Sequence, residues 1–180
     1  MDSIKIVKKN ILEYLNFLEK PREEFSGYST CPYVSKEVKN NSMLIDTFYP
    51  QEEDFIEKIK DFDKSDYKTA TYARMTHDEN FRKAFKIYLL SKESVLYEKY
   101  INEMLEKNEI FDFKAICFSP EDIHEVEGFN PRSKSPYFLI SIAHREHLTE
   151  AHGSIKKTNY FSKLGSDYRN FLSSGEGDHE

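Results

Sequence analysis

The residues best equipped for chemistry lie in a polar stretch from Ser119 to Ser135, which carries His124 and then Asn130, Arg132 and Lys134 close together. The guanidinium fork of Arg132 and the point charge of Lys134 could clamp a carboxylate or phosphate, with Asn130 beside them as a third substrate-binding residue. The partner this expects is a small anionic metabolite. The stretch leaves the end of a strand pattern, where open α/β sheets commonly place ligands. Structureless segments beyond about 12–15 residues are uncommon inside compact domains and are often functional. The plainer alternative is a solvated excursion whose arginine pairs with a neighbouring glutamate.

A second cluster runs His144-Arg-Glu-His147-Leu-Thr-Glu-Ala-His152. At about 1.5 Å rise per residue, His144 and His152 on one helix stand about 12 Å apart, so all three cannot hold one ion. His144 and His147, three residues apart, could. The spacing is not that of a His-Glu-x-x-His zinc protease, and solvent-facing or capping histidines are the plainer reading. His144 is the best candidate, because it ends an apolar strand pattern, and either it or His124 could ligate a metal or act as the catalytic acid or base. Glu121-Asp-Ile-His124 has the Glu-x-x-His spacing of helical di-iron sites, but a second copy is missing. Cys31-Pro32 offers a thiol whose direction proline would fix. It could be a buried structural thiol, a nucleophile, or a soft ligand to metal or haem. Glycine-rich phosphate loops and a Gly-x-Ser-x-Gly nucleophile elbow are both absent from the sequence.

These residues need elements to position them. Ile4, Val7, Ile11, Leu15 and Leu18 recur at helical spacing, and Pro21 stops that helix. Residues 21–41 read as polar and turn-rich. Strands are expected at 43–48, 69–75, 113–118 and 137–143, the last apolar on both faces and hence internal. Helices are expected at about 52–62, from Thr76 (with Glu79 completing a capping box) to about Asn108 with a break near Ser91, at 145–157 and at 159–171. The fold class is α/β (α+β): a single small mixed sheet of about four strands with helices packed on it. Residues 1–172 should form one domain and 173–180 a flexible tail. The loop between the last two strands allows them to be antiparallel.

Composition narrows the function classes. Twelve Tyr and fourteen Phe in 180 residues are too many large rings for a disordered chain. A net charge of −6 argues against a general nucleic-acid binder, which needs a basic footprint. The first twenty residues are amphipathic rather than a continuous apolar signal, and no run approaches the ~20 apolar residues of a membrane span. Two distant cysteines, Cys31 and Cys117, without metal-finger spacing, suggest free thiols in a cytoplasmic setting.

Three separated pieces carry a resemblance: Cys31-Pro32-Tyr33, Phe118-Ser119-Pro120, and Asn130-Pro131-Arg132-Ser133-Lys134-Ser135-Pro136-Tyr137. Their order resembles a bacterial family of unknown function with a Cys-Pro-Phe start, a Phe-His-Pro segment, and an Asn-Arg-Ser-Pro-Tyr segment leading into an apolar strand. The departures are Tyr33 for Phe, Ser119 for His, and the extra Pro131 and Lys134-Ser135. The chain also resembles YcgG/YqcI-like proteins, some of which are haem-dependent N-oxygenases. They share an early cysteine beside proline and a Pro-Arg-rich loop before an apolar strand. That resemblance implies haem or iron near Cys31 or His124 and Arg132 near an amino-acid carboxylate, while His144 and His147 are metal candidates by their spacing alone. The expected function is then a small-molecule enzyme, an iron- or haem-dependent oxygenase of an amino-acid-like metabolite. The alternative is a non-enzymatic ligand-binding or protein-interaction domain.

Overall fold

A computed structural model of the chain describes residues 4–23, 27–48, 52–74, 94–123, 129–158 and 160. Helix α1 (Ile4–Glu19) buries Val7, Ile11, Tyr14, Leu15 and Leu18, the stripe its spacing dictates. Two short strands follow where only turns were expected. β1 (Pro21–Arg22) pairs antiparallel with β2 (Tyr28–Ser29). The turn between them contains Gly27 at φ +82, a left-handed conformation that glycine adopts without steric cost. Helix α2 (Pro32–Lys39) was also not anticipated. Pro32 occupies its first turn, where the missing N–H costs nothing, and Cys31 is its N-cap. Asn41 beyond the helix end is left-handed at φ 52 and turns the chain into β3 (Met43–Phe48).

Helix α3 (Glu52–Asp63), β4 (Thr69–Arg74), α4 (Ser94–Lys107), β5 (Phe113–Phe118), β6 (Leu139–His144) and α5 (Arg145–Lys156) follow in order. The four strands β3–β6 form one mixed sheet in the order β3-β4-β6-β5. β3 and β4 are parallel, and β6 is antiparallel to both its neighbours. The small α+β architecture and the internal last strand agree with the sequence reading. That strand starts at Leu139 rather than at 137. The helix expected from Thr76 to Ser91, the terminal helix beyond Tyr160, the tail and His124 lie outside the described residues.

Alternation along the strands splits the core into two layers. Ala70, Tyr72, Ala115, Cys117, Ile140 and Ile142 face α3 and α4, where Phe55, Ile59, Phe62, Ile101 and Leu105 meet them. Ala73 and Leu139 face the opposite way, onto α1. Burial on both faces explains why β6 reads as an unbroken apolar run.

The outer edge of β5 is closed by side chains of α4. The Asn102 amide donates to the Ala115 carbonyl at 3.2 Å and accepts from the Ala115 N–H at 3.0 Å, as a neighbouring strand would. One turn earlier, Glu98 accepts the Cys117 N–H at 3.1 Å. Covering an edge in this way removes a template for intermolecular pairing. Among the described residues, no helix is long and apolar enough to cross a membrane.

Candidate functional site

The candidate site forms where α1 meets the loop between β5 and β6. Tyr14 lies at its centre. Its ring is stacked on Phe17, with centroids 6.2 Å apart, and edge-on to Phe118 at 5.9 Å. Its hydroxyl donates to the Pro131 carbonyl at 2.9 Å. Burial pushes this phenol well above its ordinary pKa; nearby Cys31 and then Asp122 add to the rise, against the pull of Arg132. Tyr14 thus stays protonated at neutral pH and serves as a hydrogen-bond donor.

The loop residues just before β6 fold inward. Asn130 is buried; its amide donates to the Asp122 carbonyl at 2.7 Å and its oxygen accepts the Ser133 N–H at 3.0 Å. A short 3-10 turn, Arg132–Lys134, follows Pro131 and sends the Arg132 side chain into the protein. Arg132 is buried and ion-paired with Glu98, which is also buried. Burial raises the Glu98 carboxyl, and Arg132 and the Cys117 N–H oppose that rise. Arg132 also lies over the Phe118 ring at 5.9 Å.

Several expectations change accordingly. Arg132 is not an exposed loop charge, because Glu98 gives it a counter-ion inside the protein, and the alternative of an arginine paired with a glutamate describes it better. Asn130 spends its amide holding the loop, and Lys134 is exposed, so the three substrate-binding candidates do not form one cationic clamp. His144 and His147 do not share a site. The His144 ring packs on Phe113 at 4.4 Å and on Phe62 at 5.6 Å, in the α3 layer. His147 instead faces α2, where its Nε2 lies 2.8 Å from Glu37 Oε1. The buried Glu37 also accepts from Ser42 Oγ at 2.5 Å. Cys31 is half-buried and Cys117 fully buried, and neither forms a disulfide. Burial pushes the Cys117 thiol up, so it stays protonated and inert.

What the fold does bring together is the set of three separated sequence pieces. Cys31 stands close enough to Tyr14 to influence its titration, Phe118 touches the Tyr14 ring, and Pro131 accepts its hydroxyl. No family model, no curated protein and no solved structure matches this chain. The functional reading therefore rests on the geometry of this junction.

Tyr14, Glu98 and Arg22 were missed in the sequence. Tyr14 and Glu98 sit at helical positions that read equally well as core or solvated face, and Arg22 lies in a stretch that read as turn. A hydroxyl or carboxylate that bonds a distant loop leaves no trace in local spacing.

Proposed function

We propose that this chain is a small-molecule enzyme acting on an anionic, amino-acid-like metabolite, with Cys31 as its reactive group. The observation that carries the proposal is the meeting of Cys31, Phe118 and Pro131–Arg132 around Tyr14. The position of Cys31 suits the role. It is the N-cap of α2, and it is half-buried rather than sealed. The guanidinium of Arg132 is also near enough to Tyr14 to oppose the rise of its pKa. Tyr14 and the buried Asn130–Arg132 segment hold the surrounding groups in fixed geometry, which a reactive centre needs.

Among the described residues, no three of His, Cys, Asp or Glu gather into a group able to hold a metal ion. A depression of about 230 Å³ lies between α1, α2 and β3, lined by Leu12, Val38, Met43 and Ile45 among others. Ligand pockets commonly span about 300–1,000 Å³, and neither Cys31 nor a histidine lines this one. The described residues thus offer no three-ligand iron site, and the chemistry proposed rests on Cys31.

The test is conversion of a metabolite mixture, followed by mass spectrometry, with wild type and Cys31→Ser. A carboxylate-bearing metabolite should be consumed by wild type and left at least a hundredfold more slowly converted by Cys31→Ser. Equal consumption by the two proteins would remove Cys31 from the chemistry, and no consumption by wild type would favour a non-enzymatic binding domain.

A further inference from the structure

Among the described residues, Arg22 is a cation with two rings against it and no anion paired to it. Its guanidinium carbon lies 4.1 Å from the centre of the Phe17 ring and 4.4 Å from that of Phe129. Aromatic faces attract a guanidinium and fix its plane. Arg132 and Arg145 each have a carboxylate within reach, in Glu98 and Glu106. Arg22 has neither an ion pair nor a side-chain hydrogen bond among the described residues, and its Nε is buried without an acceptor. A half-buried charge that is held flat but not neutralised lacks the partner that desolvation normally demands.

Its place in the fold matters. Phe129 opens the segment that continues through Asn130 to Arg132, and Phe17 stacks on Tyr14. The rings and cations form one ladder, Phe129, Arg22, Phe17, Tyr14, Phe118, Arg132. At one end the cation is satisfied by Glu98; at the other it is not.

We infer that Arg22, clamped between Phe17 and Phe129, is the anion-recognising residue of this protein and takes the carboxylate or phosphate of a small ligand. The two rings lower the conformational entropy lost when the guanidinium fork closes on an oxyanion. This rests on the proposed function for the metabolite's identity, but not for anion binding itself.

The experiment follows the Arg22 Nε–H resonance of wild-type protein by NMR during titration with inorganic phosphate and, separately, with succinate. A saturable shift with phosphate, succinate or both supports the site, and the more potent anion identifies the oxyanion class. Arg22→Gln should weaken the binding of that anion at least tenfold, and Arg22→Lys, which keeps the charge without the fork, at least threefold. Thermal melts run alongside should show both variants folded; should either fail to fold, the wild-type resonance decides alone. The inference is overturned if neither anion moves the resonance saturably, or if a folded Arg22→Gln binds within twofold of wild type. A failure here leaves the Cys31 assignment intact, because that is read from metabolite consumption by Cys31→Ser.

Discussion

Arg132→Met should destabilise the fold by about 3–5 kcal/mol near pH 8, because it leaves the buried Glu98 carboxylate without its cation. The expected loss depends on pH, and its sign follows from burial. Burial already raises the Glu98 carboxyl, and Arg132 is the first of the influences that lower it. Removing Arg132 raises the carboxyl further, so the folded protein takes up a proton that the unfolded chain releases. The contribution from that protonation is fully present below the unfolded carboxyl value and is lost as pH rises through the raised one. The variant should therefore lose less stability near pH 5 than near pH 8. Adding Glu98→Gln should recover most of the loss, since a neutral amide can still accept the Cys117 N–H. Denaturant unfolding of wild type, the single variant and the double variant at the two pH values measures this. A loss of a few tenths of a kcal/mol, independent of pH, is what a solvated loop arginine would give, and it would return Arg132 to the surface.

Asn102→Ala should cost about 2–3 kcal/mol, because both polar groups of the buried Ala115 backbone lose their partner at once. Asn102→Asp should fall between the two. It keeps an acceptor for the Ala115 N–H but points a carboxylate oxygen at the Ala115 carbonyl. Uncovering the β5 edge should also raise the tendency to self-associate. Urea unfolding and light scattering read the two effects, and Glu103→Ala, on the exposed face of the same helix, should stay within about 0.5 kcal/mol of wild type. An unchanged midpoint for Asn102→Ala would mean that water replaces the amide at no cost.

Much of the frame was legible in the sequence because burial periodicity is a local signal. The α1 stripe, the apolar run of β6 and the alternation of β5 each report which face meets the core. The segment from 21 to 41 was harder. β1 and β2 are two residues each, too short for any periodicity, and α2 has three charged residues and one apolar residue among its last four. Pro32 could have marked its start, since proline suits the first helical turn, but the same proline also reads as a turn.

The candidate site was legible in its parts and not in its connections. Cys31, Phe118 and Asn130–Arg132 stood out by type and spacing, yet their common neighbour is a tyrosine on α1 more than 100 residues away from Pro131 in sequence. The partner of Arg132 is likewise distant: Glu98 lies on α4, where a glutamate next to Lys99 looks solvated. Long-range polar pairing decided whether each cation was spent or available, and among the described residues it left Arg22 rather than Arg132 without a counter-ion.

The alkylation rate of Cys31 in the native protein, with and without small anions, tests the central claim most directly. Iodoacetamide should label Cys31 in native buffer and leave Cys117, fully buried with its thiol held protonated, unlabelled until the protein is denatured. Within a panel of amino acids, keto acids and phosphorylated metabolites, at least one class should slow the labelling of Cys31 saturably. A Cys31 labelled no faster than Cys117, or labelled at a rate that every anion in the panel leaves unchanged, would contradict a reactive site at this junction.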